Sequence, residues 1–176
     1  MTLGTISFQF NRAINWLSVL IESGVISESV FLQHGSSDAS RLAGHPLVTL
    51  EPTVNGRKMT ELVGNSRLVI SHAGQGSTRM LAAKGCSFIL IPRLNKYSEH
   101  VDNHQLLFAQ AVENFGIKSC LSLEELKSAV LQPPPIFQGQ IFQNPKLTEH
   151  LLQLYPPEHK KVEQQQTLNS NVIELL

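Results

Sequence analysis

The chain has 176 residues, and fourteen Lys and Arg balance fourteen Asp and Glu to a formal net charge of zero, so length allows one domain with a full core and charge gives no footprint for nucleic acid or an anionic membrane. Cys86 and Cys120 are too few and too far apart for a disulfide framework and suit a reducing compartment. No apolar run reaches the roughly 18–20 residues of a membrane span, and the opening MTLGTISFQF lacks the pattern of a secretory leader, so a cytoplasmic protein is expected, held at a membrane only by a partner.

The predicted elements alternate between short β-rich runs and helix-length amphipathic segments. MTLGT reads as a strand, residues 11–23 as a helix capped by Asn11 and stopped at Gly24, and SVFLQHG and PLVTL as strands. A helix over 57–65 precedes the strand RLVISHAG, a helix over 77–84 precedes SFILIPR, and a helix over 101–115 is followed by SLEELKSAVL. In the last of these, Ser122 and Glu125 have the spacing of a capping box. This alternation predicts an α/β fold, a Rossmann-like parallel sheet with helices on both faces. The unalternating runs LVI and FILI belong at its centre, where both faces are covered.

Composition changes at PPPIFQGQIFQNP, dividing the chain into a domain over 1–132 and a Pro/Gln-rich tail over 133–176 with a short helix candidate, KLTEHLLQLY. The leucines Leu147, Leu151, Leu152 and Leu154 would give that helix an apolar face for docking a partner.

In an open parallel sheet, ligands bind beyond the carboxyl ends of the strands, so attention falls on the turns GTISF (4–8), SHAGQGST (71–78) and PRLNKYSEHVDNHQ (92–105). In the second, Gly74 and Gly76 permit close approach, the following helix offers unpaired N–H groups and the positive end of its dipole, and Ser77 and Thr78 add hydroxyls; this suits an anion such as a phosphate. The same glycines are equally compatible with a tight turn alone. The pattern is neither a P-loop nor a dinucleotide fingerprint at the first turn, and Ser71 is not in a nucleophile elbow.

His72, directly after a central strand, is placed to act as a general base, to bond a ligand, or to satisfy nearby backbone. His34, beside Gly35, Ser36 and Ser37, lies in a loop suited to lining a cleft. The third turn concentrates Glu99, His100, Asp102, Asn103, His104 and Gln105. Capping by Asp102 or Asn103 accounts for one or two of these. A metal pair of His100 and His104 on one helix face is disfavoured, with no supporting cysteine pair or H-E-x-x-H, and no metal is expected.

VISHAGQGSTRMLAAKGCSFILIPR followed by EHVDNHQ, with TLGTISFQFNRAI at the start, resembles the C-terminal domain of family 28 glycosyltransferases. The likeness is to the donor-binding half of MurG and, more closely, to short PssE-type exopolysaccharide and capsule subunits. It implies the C-terminal half of a GT-B fold that takes a UDP-sugar without cofactor or metal. By the resemblance, Gly4 and Thr5 face the cleft; Gly74, Gly76, Ser77 and Thr78 hold the diphosphate; Pro92 and Arg93 border the base. Glu99, His100, Asn103, His104 and Gln105 contact the sugar or order its loop, and His72 is the candidate base of an inverting hexosyl transfer. It further implies a lipid-linked acceptor and a membrane-anchored partner subunit supplying the acceptor half.

The sequence departs from the family pattern in two places: the family's first strand usually begins a few residues earlier than MTLGT does, and position 80 differs. Met80 stands where relatives carry a glutamate that pairs with the ribose hydroxyls, which leaves a non-catalytic sugar-nucleotide-binding or scaffold subunit as the alternative. A sugar-phosphate epimerase on a similar fold would also use the glycine turn, but the EHVDNHQ segment argues against it.

Overall fold

The computed structural model describes residues 1–141. In chain order the elements are α1 (Asn11–Glu22), β1 (Val30–Gln33), β2 (Val48–Glu51), α2 (Gly56–Gly64), β3 (Val69–His72), α3 (Gln75–Lys84), β4 (Phe88–Ile91), α4 (His104–Glu113), β5 (Lys118–Ser119) and α5 (Leu123–Leu131), with short 3-10 turns at Ser40–Leu42 and Asn95–Tyr97. β1 pairs with β2, and β3 with β4 and β4 with β5, all in parallel. Thr2 joins the two groups, bridging Gln33 on one side and Ser71 on the other. The first residues are therefore the central rung, and the spatial order is β2, β1, residues 1–3, β3, β4, β5.

That order reverses direction between residues 1–3 and β3. Two chain ends leave the sheet there in opposite directions, which opens the crevice where doubly wound folds place their ligands. The run FILI is continuously apolar because β4 is covered twice. Ile89 and Ile91 enter a core with Leu3, Leu17, Leu32 and Leu126, whereas Phe88 and Leu90 enter a second core with Val63, Leu81, Ala109 and Ile117. Each strand residue thus alternates between α1/α5 on one face and α2/α3/α4 on the other, the period-2 consequence of a pleated strand.

Several local expectations change. Asn11 is the first helical residue rather than the cap; Phe10 takes the cap position without a side-chain bond, and Asn11 Oδ1 instead accepts the Asp38 N–H at 3.0 Å. α3 starts at Gln75, two residues before the expected 77. α4 starts at His104 rather than 101, because residues 98–103 are held by bonds among loop groups. β5, two residues long and partly exposed, carries no apolar signal in the sequence and is not among the predicted elements. The capping box of α5 is present as expected, with Ser122 Oγ accepting from the Glu125 N–H and the Glu125 carboxylate accepting from the Ser122 N–H.

Residues 134–141 lie against the domain: Ser87 Oγ donates to Pro134 O at 2.6 Å, the Phe137 N–H donates to Cys86 O at 3.1 Å, and the Phe137 ring meets Phe88 edge-on. The segment KLTEHLLQLY lies outside the described residues.

Candidate functional site

Gly4 ends the central rung in the left-handed region, φ +76°, where a side chain is strained. Its turn is clamped by Gln33, which is buried and bonded at every polar position. Gln33 Oε1 accepts from Thr2 Oγ1 at 2.7 Å and the Gly4 N–H at 3.1 Å, and Nε2 donates to Gly4 O at 2.8 Å and Pro52 O at 2.9 Å. Buried amides satisfied this fully fix one geometry. The loop that follows is braced by 34–38: Ser36 Oγ lies 2.8 Å from Ile6 O, and Ser37 Oγ accepts the Phe10 N–H at 2.8 Å. His34, Gly35, Ser36 and Ser37 thus shape the crevice wall. Thr5 stands exposed on it.

Across the crevice, the His72 imidazole lies between two glycines. A Cβ on Gly4 would meet His72 Cε1 and Nε2 at 2.8 Å, and one on Gly74 would overlap Nε2 and come within 2.9 Å of Cδ2. Close packing of the ring therefore requires Gly74, whose φ of −82° needs no glycine. Gly76 is different: a Cβ there meets nothing within 4 Å. Burial, helped by the positive charge of Arg93, pushes the His72 pKa down to about 4, so the ring is neutral at pH 7. Its Nδ1 is enclosed without a hydrogen-bond partner.

α3 starts beside this ring. Gly74 caps it without a side chain, and the first intrahelical bond is from the Thr78 N–H to Gly74 O at 2.9 Å. The N–H groups of Gln75, Gly76 and Ser77 are thus the open donors of the first turn, at the positive end of the dipole. Gln75 and Gly76 are exposed and Ser77 half-buried. Thr78 is fully buried, with its hydroxyl donated to Gly74 O at 2.9 Å, so it holds the turn from inside. Ser71, also fully buried, donates to His72 O.

Two arginines tie the third turn to the first. Arg93 is 0 % exposed; its Nη1 donates to Phe8 O at 2.7 Å and Glu99 O at 3.2 Å, its Nη2 donates to Leu3 O at 2.8 Å, and its guanidinium lies over the Phe10 ring. Desolvation lowers its pKa to about 10, which keeps it charged. Arg12 reaches from α1 to both Glu99 oxygens, at 2.9 and 2.8 Å, and to Pro92 O at 2.8 Å, packed among Phe10, Trp16 and Tyr97. Glu99 also accepts the Leu94 N–H, Gln105 accepts the Arg93 N–H, and Asn103 accepts the Asn95 N–H.

Arg93, Glu99 and Gln105 are therefore enclosed and set the position of the Pro92 turn, while Asn103 stays exposed. The density of polar residues in 92–105 comes largely from bonds within the loop, well beyond capping. His100 and His104 do not share a helix face, since His100 precedes α4. The Asp102 carboxylate lies 3.0 Å from His100 Nδ1 and 2.6 Å from His104 Nδ1. Bonds from His104, its backbone N–H first, hold the Asp102 carboxyl below its usual pKa. His100 also stacks on Phe8, centroids 6.1 Å apart. Among the described residues no group of three or more His, Cys, Asp or Glu is arranged to hold a metal ion.

Sequence reasoning missed Arg12 and Gln33. Arg12 lies in the amphipathic helix α1 and Gln33 at the end of strand β1, and only the pairing of residues far apart in the chain shows what they hold.

The described residues form a doubly wound α/β domain with an open helix N-terminus at the reversal of its strand order. Residues 1–133 match the Glycosyltransferase family 28 C-terminal domain, and the chain belongs to that family. Membership supports a glycosyltransferase-type or sugar-nucleotide-binding function. No curated protein matches the chain. No helix among the described residues is long and apolar enough to cross a membrane.

Proposed function

We propose that this chain is the donor-binding part of an inverting, metal-independent glycosyltransferase that moves a hexose or hexose derivative from a UDP-sugar to a lipid-linked acceptor in surface-polysaccharide assembly. The observation that carries the reading is the open first turn of α3 at the strand-order reversal, with Gly76 exposed and free of any intramolecular need for a missing side chain. In this reading the N–H groups of Gln75, Gly76 and Ser77, with the Ser77 hydroxyl, bind the diphosphate and stabilise the charge that develops as it leaves. Gly4, Thr5 and the Pro92 turn border the crevice, and His100, Asn103 and His104 face the sugar from a loop that Arg93, Glu99 and Gln105 hold in place.

The acceptor oxygen attacks the anomeric carbon, the bond to the diphosphate breaks with its electrons on the phosphate oxygen, and a base takes the acceptor proton. His72 is the candidate base in this chain. A pKa of about 4 makes a weak base, and the negative diphosphate beside it would raise that value in the complex. A membrane-anchored partner supplying the acceptor half is part of the same proposal, as is docking through the 133–176 tail.

A second reading is favoured by Met80. Its side chain packs partly buried against the second core, and α3, QGSTRMLAAK, has no carboxylate for a ribose. A domain without that contact would serve as a sugar-nucleotide-binding or scaffold subunit that stimulates a partner.

Calorimetric titration with UDP, UDP-glucose, UDP-galactose, UDP-GlcNAc and UDP-glucuronate, with and without EDTA, tests both. Binding that EDTA leaves unchanged supports the donor site and names the sugar; transfer that survives His72→Ala and His104→Ala, assayed with the partner, moves catalysis out of this chain. No binding to any of them refutes the donor site as this chain alone presents it.

A further inference from the structure

Between the start of α1 and the Asn95–Tyr97 turn the surface opens into a hollow of about 580 Å³, within the roughly 300–1,000 Å³ of small-molecule sites. It shares no lining residue with the first turn of α3. Two aromatic rings, Trp16 and Tyr97, line it. The Arg12 guanidinium lies over both, 4.6 Å from the Trp16 centroid and 5.3 Å from that of Tyr97, and its bond to both Glu99 oxygens ties the rings to the third turn. Tyr97 stays 54 % exposed.

The charged side chains of the lining, Arg12 and Glu99, neutralise each other. Arg12 Nε and Nη2 are committed to Glu99 and Pro92 O, and Nη1 is enclosed, so the hollow has no free charge to hold an anion or an ammonium. Lys96, with Nζ 4.9 Å from the Tyr97 centroid, is exposed and outside the lining. What remains are groups that donate and accept. Asn11 Nδ2 donates to Gln9 Oε1 at 2.9 Å, which leaves the Gln9 NH₂ unused. The Asn15 amide and the Ser98 and Tyr97 hydroxyls have no partner among the described residues. Ser98 is also the one non-glycine residue among them with a left-handed backbone, φ +56°. The turn it makes leaves Tyr97 outside and carries Glu99 inside. Glycine adopts that conformation more cheaply, so the serine hydroxyl is present at a backbone cost, and such outliers gather at functional sites.

We infer that this hollow is a binding site for a neutral pyranose, with one face of the sugar ring against Trp16 and Tyr97 and its hydroxyls bonded by Gln9, Asn15 and Ser98. The C–H face of a pyranose is apolar and weakly positive and meets the negative face of an aromatic ring. Its hydroxyls donate and accept at once, as the amides and hydroxyls of the lining do. Such a ring arrives as a unit of a glycan or as the hexose of a sugar nucleotide; the first source stands apart from the donor reading above, and the second rests on it.

Trp16 is the one tryptophan of the chain, so its emission reads the hollow directly. The probes are cellobiose, lactose and diacetylchitobiose, each with and without excess UDP, and then UDP, UDP-glucose, UDP-galactose and UDP-GlcNAc. A saturable change with a disaccharide, at a midpoint that UDP leaves unchanged, assigns a glycan; a change with a UDP-sugar that UDP alone does not produce assigns the hexose of the nucleotide. With either source, Tyr97→Ala should weaken binding about tenfold and Asn15→Ala about fivefold. Both side chains are exposed, so the melting temperature should hold, and Tyr97→Phe should keep most of the affinity. If UDP fails to bind, the disaccharide arm still stands, so the two readings fail separately. Silence of Trp16 toward every probe, a change that UDP alone reproduces, displacement of the disaccharide by UDP, or variants that bind as well as the wild type overturn the inference.

Discussion

Gly74 and Gly76 lie two residues apart in one turn and are required for different reasons, which substitution separates. In Gly74→Ala the new Cβ overlaps His72 Nε2, and the ring cannot retreat far because Gly4 closes the other side. Overpacking of this kind costs about 1–3 kcal/mol. At a helix cap, alanine is also worse than glycine, by about 0.5–1 kcal/mol, but the φ of −82° suits alanine, and the stiffer unfolded chain returns about 0.4–1 kcal/mol. These last effects nearly cancel. In a His72→Ala background, Gly74→Ala should therefore be close to neutral, and the coupling between the two sites should be about 1–3 kcal/mol.

A loss of 2 kcal/mol corresponds to a fall in melting temperature of about 4–8 °C for a chain of this size. The assay is urea and thermal unfolding of the wild type, both single variants and the double variant. If Gly74→Ala costs the same with and without the imidazole, the steric account is wrong. Gly76→Ala is the companion: with open space around it, stability should hold or rise by about 0.5 kcal/mol, while affinity for UDP falls because the Cβ stands in the path of the diphosphate. Unchanged affinity would remove Gly76 from the site.

Holding His72 at about 4 against its ordinary 6.5 means that between those values the unfolded chain binds the extra proton. The stability is present above pH 6.5 and is lost as pH falls toward 4, by up to about 3 kcal/mol; the stability difference between wild type and His72→Asn, read from urea unfolding, should change by that amount over that window, to the disadvantage of the wild type at low pH, and a pH-independent difference would show that the ring is not the cause. Arg12→Met leaves the 4 % exposed Glu99 side chain without its cation, at a cost of about 3 kcal/mol, and Arg12→Met with Glu99→Leu should cost less than the sum, measured in a double-mutant cycle. Thr78→Val should cost about 1 kcal/mol of stability and leave UDP affinity near wild type, whereas Ser77→Ala should lower affinity and leave the melting temperature unchanged. Calorimetry with the two variants gives the answer directly.

The sequence alone carried the α/β alternation, the central position of LVI and FILI and the α5 capping box. Those signals are local: period, caps and turn residues depend on near neighbours in the chain. It could not show that Gly74 serves His72, that Thr78 points inward, or that Arg93 and Glu99 are enclosed, because each depends on which distant segment lies opposite. β5 was illegible for a related reason: two residues on a partly exposed strand bury too little to leave a pattern. The order of the strands decided the crevice. Residues 1–3 and β3, nearly seventy residues apart in the chain, become neighbours only when the sheet is assembled, and hydrogen bonding across that junction brings Gly4, His72 and the start of α3 to one place.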